Sequence, residues 1–329
     1  MTQQQPHEIV WTLTNAVVAS RCLHVVAELG VADHVGDGAV SAAELASCCG
    51  ADADALERVL SLLAAHGVFE REGGGFCQSP ASELLRSDHP QSMRAFPRMM
   101  GQPAISMTFA NLEHSIRTGS PALDTIEPSG FWAYYQDHPD EALIFDQAMT
   151  AKAAADIAAI LAAYDFSRFA TIADIGGGRG HLLRAVLNAV PNAQGVLFDL
   201  PAVIGALDSE QERLRPQAGD FFVDRLPAAD AYVLMEVIHD WADAECAAIL
   251  SAIRHSAAPG ATLLVIENVL PDAEVDQRGH ILDVIMLAVT GGRERTASQL
   301  NELFNRAGFR DGTVIETAGP LRIVEATTV

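Results

Sequence analysis

The chain has 329 residues, 43 of them acidic and 21 basic, for a formal charge of −22. Nucleic acid and anionic membranes both require a basic face, so this balance sets both aside as partners. Hydrophobic residues make up 49% of the chain, enough for one large or two ordinary globular domains. Five cysteines, Cys22, Cys48, Cys49, Cys77 and Cys246, include no C-x-x-C pair. They read as thiols in a reducing compartment rather than as a disulfide framework or a metal cluster. The opening Met1-Thr-Gln-Gln-Gln-Pro6 lacks the basic segment of a signal peptide. No run approaches ~18 apolar residues, so a cytoplasmic chain without a membrane span is expected.

From residue 8 to about 95 the pattern is helical with one hairpin. A helix covers roughly Ile9 to Leu29. Ser41-Ala-Ala-Glu44 is a capping box that opens a short second helix. A third follows from about Asp54, with Leu56, Val59, Leu60, Leu63 and Ala64 on one face. Two short strands then flank Gly73-Gly74-Gly75. Helix, helix and hairpin make a winged-helix pattern. A groove-reading helix needs Arg, Lys, Asn or Gln outside, whereas this segment sets Glu44, Asp52, Asp54 and Glu57 against Arg58. A packing module for dimerisation is the better reading.

Residues 96 to 165 are helical with loops. Phe131-Trp132-Ala-Tyr134-Tyr135 is an aromatic cluster suited to an apolar pocket or to plain core. Phe145, Met149, Ile157, Ile160, Leu161 and Tyr164 form a stripe for a helix packed on a sheet.

Beyond Thr171, strands alternate with helices, which indicates a Rossmann-like α/β fold with a parallel sheet. Thr171-Ile-Ala-Asp174-Ile-Gly176-Gly177-Gly178-Arg-Gly180 is strand, glycine turn and helix start. Such an edge holds a nucleotide-like ligand. A dinucleotide fingerprint starting at Gly176 would need a small residue where His181 stands. Asp174, before the first glycine, suits a cationic ligand. Gly195 to Asp199 is the second strand, and its terminal carboxylate suits the two hydroxyls of a ribose. Asp220, followed by Phe221 and Phe222, fits an adenine, the acid accepting from the amine and the rings covering a face. The strand leading to it, Leu-Arg-Pro-Gln-Ala, has little β character. Ala231–Val237 and Ala261–Ile266 are clear strands, and the tail brackets Gly319-Pro320 as a closing antiparallel hairpin.

His239 follows the fourth strand in Val-Ile-His239-Asp240-Trp241, so it lies at the ligand edge of the sheet. Glu267 ends the fifth strand, and Glu294 sits in Gly291-Gly292-Arg293-Glu294-Arg295-Thr296 before a capped helix. A histidine with two loop acids beside a ligand edge is a candidate acid–base set.

These motifs, in this order, resemble the S-adenosylmethionine (SAM) dependent O-methyltransferases of the plant caffeate and flavonoid type and their bacterial relatives. The D-x-G-x-G-x-G turn, Phe198-Asp199-Leu200-Pro201, Gly219–Phe222, His239–Trp241, Asp283–Met286 and Gly291–Thr296 carry the likeness, which spans nearly the whole chain. The resemblance implies a winged-helix dimerisation domain over 1–95, then a helical region and catalytic domain over 96–329 with its core from about 166. It implies a homodimer and SAM as cofactor, without a metal. It makes His239 the catalytic base, flanked and oriented by Glu267 and Glu294. Asp174, Gly176, Gly178, Asp199, Leu200, Asp220, Phe221 and Phe222 would hold SAM, with Trp241 bordering the adenine. Phe145, Met149, Ile285 and Met286 match pocket positions, joined by Phe131 and Trp132. Plant members have a Lys where this chain has Met235 and a substrate-contacting His where it has Lys152. Two other readings use the same residues: a SAM-binding relative that decarboxylates or hydroxylates, and a winged-helix metabolite sensor.

Overall fold

A computed structural model describes residues 5–207 and 212–329. Most of the opening segment read for a leader, residues 1–4, lies outside the described residues. The chain forms two compact units, Met1–Ser106 with His138–Lys152, and Met107–Asp137 with Ala153–Val329.

In the first unit, helix α1 (Pro6–Leu29) starts with proline and ends at a left-handed Gly30, whose N–H closes on Ala27 and Val26. Helix α2 (Ala42–Cys49) opens on the reciprocal Ser41–Glu44 capping box, and α3 (Ala53–Ala65) on Asp52. Strands β1 (Phe69–Glu72) and β2 (Gly75–Gln78) form the hairpin, with Phe69 opposite Gln78. Val26, Leu45, Leu60, Leu63, Phe69 and Phe76 form the buried centre of this winged-helix-like unit.

Helix α1 departs from expectation. It keeps Ile9, Val10, Trp11, Leu13, Val17 and Val18 exposed. An 18-residue window in it reaches a mean hydropathy of 1.4 while only 6% is buried. Thr12, Thr14 and Asn15 interrupt the apolar run without lowering its average, which hid the feature from a search for unbroken runs. By length and composition alone the helix could cross a bilayer. The same bare face suits packing against another protein surface.

The second unit is built on a seven-stranded sheet ordered β5-β4-β3-β6-β7-β9-β8. Its strands are β3 (Thr171–Ile175), β4 (Gln194–Asp199), β5 (Leu214–Ala218), β6 (Ala231–Met235), β7 (Thr262–Glu267), β8 (Thr313–Ile315) and β9 (Arg322–Thr327). The first five run parallel, and β9 and β8 close the sheet antiparallel. The weakly written Leu-Arg-Pro-Gln-Ala segment is β5, at the sheet edge, where Pro216 costs least because one side of the strand has no neighbour to receive an N–H. Apolar layers cover both sheet faces, one around Leu234, Ile249 and Phe304, the other around Ile160, Leu183 and Leu264.

Strand order reverses between β3 and β6, so the loops leaving their carboxyl ends diverge and open a crevice there. The long helix Pro139–Ala163 is divided between the units. Ile157, Ile160 and the following Tyr164 join the sheet's core as expected, whereas Phe145 and Met149 lie in the stretch assigned to the first unit.

Within the first unit, α1 rests on the helix Ala95–Gly101, and a Cβ on Gly101 would fall inside the His24 ring. We expect Gly101→Ala to destabilise the protein by about 1–3 kcal/mol, read as a lower urea midpoint with unchanged slope.

Candidate active site

The glycine turn after β3 is clipped to the end of β4. Gly178 N–H donates to Asp199 Oδ2 and Leu200 N–H to Asp199 Oδ1, both at 2.7 Å. Gly176 and Gly178 have φ of 68° and 59°, the left-handed region that side chains resist. Beneath the turn Asp174 is 2% exposed, and its Oδ1 has no hydrogen-bond partner. Burial pushes its pKa up to about 7, Asp199 adds to the rise, and the Leu183 N–H opposes it.

Beyond β5, Asp220 Oδ1 accepts the N–H of Phe222 at 2.8 Å, which bends the chain and presents both phenylalanines. Phe222 meets Phe221 and Trp241 edge-on, at 4.8 Å in each case, and Phe221 also borders Gly176. The acids at the carboxyl ends of β3 (Asp174, its penultimate residue) and β4 (Asp199, its last), the glycine turn and this aromatic trio therefore gather at one edge of the sheet.

His239 lies in a short helical turn, Ile238–Asp240, directly after β6. Its ring is buried between two acids from different parts of the chain. Nδ1 is 2.9 Å from Glu294 Oε1 and 3.4 Å from Glu267 Oε2. A carboxylate oxygen accepts, so Nδ1 carries the proton toward Glu294. Nε2 lies 3.8 Å from Asp240 Oδ1, too far for a hydrogen bond.

Glu267 is anchored in turn, its Oε1 accepting from Val237 N–H at 3.1 Å and Ile238 N–H at 2.9 Å. Those donors converge because Glu236, just before them, adopts φ of +53°; among the described residues it is the one non-glycine with positive φ. Glu267 Oε2 and Glu294 Oε2 are buried and make no hydrogen bond. A cavity of about 10 Å³, the size of one water, lies among Ile238, His239, Glu267, Glu294, Arg295 and Leu300.

Charge follows from this packing. Burial alone would lower the His239 pKa, but Glu267, Asp240 and Glu294 together outweigh it and raise it to about 10. Burial pushes the Glu267 carboxyl upward, against the pull of His239. A raised imidazole pKa stabilises the fold fully below the unfolded value of ~6.5. That contribution is lost as pH climbs through about 10. His239, Glu267 and Glu294 could also offer a metal one atom each, all within 4.8 Å of one another. A metal there would have to displace the Nδ1 proton.

The remaining expected residues come from several elements of the chain. Phe131 packs edge-on against Trp132 and Tyr135 at 4.9 and 5.0 Å; Phe131, Tyr134 and Tyr135 are buried, and Trp132 stays partly exposed. Ile285 and Met286 are half-buried on the helix Gln277–Val289. Phe145 and Met149 are half-buried in the other unit, and Met235 ends β6.

Sequence reasoning passed over several supports of the histidine turn. Arg293 N–H donates to the His239 carbonyl at 2.8 Å, and Gly292 lies so close to that carbonyl that any side chain would collide with it. Asp283 Oδ1 accepts Glu294 N–H at 2.9 Å. Cys246 Sγ contacts the carbonyls of Ile238 and Trp241. Arg295 is buried against the same turn. Asp283, Gly292, Arg293 and Arg295 lie in stretches that carry the resemblance, but nothing in the sequence assigned them a task at this turn.

A doubly wound sheet with a glycine turn at its carboxyl edge, beside a buried histidine held between two acids, places the chain in the nucleotide-binding α/β class. Residues 109–310 match an O-methyltransferase domain model, and residues 11–88 match an O-methyltransferase dimerisation domain model. The phenazine O-methyltransferase PhzM of Lysobacter antibioticus is 38% identical over 317 residues, covering 94% of this chain and 93% of that protein. A crystal structure of LaPhzM superposes with a TM-score of 0.93 at 36% identity, over 99% of this chain and 100% of that one. The O-methyltransferase NcsB1 of neocarzinostatin biosynthesis was solved in complex with SAM and 2-hydroxy-5-methyl naphthoic acid. It gives a TM-score of 0.79 at 36% identity, covering 94% of this chain and 96% of that one.

The chain belongs to this family: it is a SAM-dependent O-methyltransferase. The edge described above fits that cofactor, because an unpartnered buried carboxylate oxygen, a second carboxylate, a backbone cradle and aromatic faces suit a cationic adenosine compound.

Asp174 supplies a test. Its raised pKa means that ionisation above about 7 burdens the fold, and that the burden fades as pH falls from there toward the unfolded ~3.9. Asp174→Asn should therefore melt higher than wild type at pH 8, with the gap narrowing by pH 5, while its affinity for SAM falls in calorimetric titration.

Proposed function

We propose that this enzyme methylates a hydroxyl on an aromatic small molecule of secondary metabolism, with His239 as general base. The observation that carries the reading is the Nδ1–H bond to Glu294, backed by Glu267, which fixes the tautomer so that Nε2 can accept a proton. SAM, when bound, supplies an electrophilic methyl on a cationic sulfur. Asp174, Gly176, Gly178, Asp199 and Leu200 would hold its amino-acid and ribose parts, and Asp220, Phe221, Phe222 and Trp241 its adenine. Phe131, Trp132, Phe145, Met149, Ile285 and Met286 would line the acceptor pocket. The phenazine O-methyltransferase among this enzyme's relatives, and the hydroxylated naphthoic acid bound by NcsB1, support this substrate class.

The proton balance supports the same assignment. A phenol near pKa ~10 would lose its proton to an ordinary imidazole near ~6.5 at a cost of about 5 kcal/mol. The carboxylates around His239 raise its pKa to about 10, which closes that gap. The drawback is that the ring is largely charged near neutral pH, and a charged ring cannot act as a base. Activity should therefore rise with pH along a limb lying alkaline of 6.5, as read in a pH–rate profile of kcat/KM. Glu294→Gln should move that limb toward the ordinary imidazole value. His239→Gln should lower kcat by about 10²–10⁴ while leaving SAM affinity within a few-fold. Full turnover in that variant would exclude the role.

For the first unit we infer a homodimerisation module spanning about 1–95. The exposed apolar face of α1 and the matched dimerisation model support it. Replacing Trp11 and Leu13 with glutamate should shift the protein from dimer to monomer in sedimentation equilibrium, whereas an unchanged dimer would relocate the interface.

A further inference from the structure

Arg295 is the one fully enclosed guanidinium among the described residues, with 4% of the residue exposed. Every part of it is engaged. Nη1 donates to the carbonyls of Ile238 at 3.0 Å and Arg293 at 3.3 Å. Nη2 donates to the Trp241 carbonyl at 2.8 Å and to Asp243 Oδ1 at 2.8 Å, and Nε reaches the same oxygen at 3.1 Å. Its own carbonyl accepts the N–H of Leu270 at 2.9 Å, three residues beyond Glu267.

These bonds have a particular layout. Ile238 and Trp241 bracket the histidine turn, and Arg293 and Arg295 bracket Glu294 in sequence. One rigid fork thus ties the backbone that carries the imidazole to the backbone that carries its carboxylate partner. Asp243, in the first turn of the helix Asp243–Ser256, fixes the fork from behind. A hydrogen bond between Nδ1 and Glu294 needs the two segments in register to a few tenths of an ångström. Neither segment is continuous with the other in chain or in strand.

We propose that Arg295 is a positioning residue for methyl transfer, one that sets the His239–Glu294 distance and through it the basicity of the ring. The proposal rests on His239 being the base. Arg295 touches the turn only through carbonyl oxygens, so it acts on placement and takes no proton itself. Lysine cannot replace it, since an ammonium cannot span two carbonyls and a carboxylate in one plane. The guanidinium also borders a cavity of about 70 Å³ lined by Asp243, Arg293, Gln299, Glu302 and Arg306, half-exposed at Asp243, through which a small cation can reach the vacated position.

The test compares wild type, Arg295→Lys, Arg295→Ala and Asp243→Ala as full-length protein, with His239→Gln in parallel. Arg295→Lys should lower kcat, read on the alkaline plateau of the pH–rate profile where the ring is neutral in both proteins, about 10- to 100-fold with KM values for SAM and acceptor within about three-fold. Millimolar guanidinium ion should restore part of the kcat of Arg295→Ala and none of that of His239→Gln. The imidazole titration of ¹⁵N-labelled His239, identified by its loss in His239→Gln, should move toward ~6.5 in both Arg295 variants. Should the Arg295 variants not fold, Asp243→Ala, which removes the fork's anchor at a half-exposed site, should show the same shift in smaller degree. Wild-type kcat and an unmoved titration in any folded variant would overturn the proposal. Full turnover in His239→Gln would instead overturn the base assignment, and the ¹⁵N titration would still report whether Arg295 places the ring.

Discussion

One buried imidazole held between two buried carboxylates governs how this end of the sheet is built. Such a group is costly to enclose, since each charge leaves water and only close pairing compensates. The fold meets part of that cost by anchoring each member's carboxylate or backbone from a second side. Glu267 receives two backbone N–H groups, the Glu294 backbone is fixed by Asp283, and the carbonyls of the histidine turn are taken by Arg293, Arg295 and Cys246. Removing the imidazole would leave two acids facing one another without a proton to share. The same arrangement raises the ring's basicity, so structural pairing and chemical task draw on one interaction.

At the neighbouring strand end the opposite situation holds. Asp174 is buried with an oxygen that nothing in the protein satisfies, and Asp199 stands close enough to raise its pKa further. Alone, this is a defect that lowers stability. It becomes favourable when a cation arrives, because the charge that burdened the fold then acquires a counterpart in a low-dielectric place. Glu236 is strained in the same sense, its left-handed backbone turning two N–H groups onto Glu267. Both local departures from good folding practice lie at the carboxyl ends of adjacent strands, the edge where sheets of this class take their ligands.

Much of this was legible in the sequence because strand, glycine turn and helix leave a periodic trace. Asp174, Asp199, His239, Glu267 and Glu294 were each readable as residues at strand ends or beside a glycine turn. Distance was not readable: that Glu294, 55 positions beyond His239, comes nearer than Glu267 depends on the loop's return to Leu270. Arg295 was hidden for a related reason. An arginine among charged neighbours looks solvated, and only its carbonyl acceptors, scattered over the turn, reveal a buried fork. The Pro216 strand escaped confident assignment because edge position, which tolerates proline, is a property of the whole sheet. The bare face of α1 escaped too, since polar residues broke the run while leaving the surface apolar.

Strand order explains why these pieces converge. β3 and β6 are neighbours in the sheet but far apart in sequence, and the chain leaves them in opposite directions. The glycine turn and the histidine turn therefore face one crevice. β7 pairs with β6 on the far side, with Met235 opposite Ile266, so the acid ending β7 lies directly under the turn that follows β6. The next connection passes through the helix Gln277–Val289 and returns as the Glu294 segment, stitched beside Leu270 by a single bridge. Across the sheet the order is thus glycine turn, histidine turn, buried carboxylate support. A one-residue slip between β6 and β7 would turn Glu267 to the opposite face and separate it from the N–H pair at 237 and 238. The register of two central strands, set by their apolar side chains on both faces, is what fixes the geometry of the acid–base group.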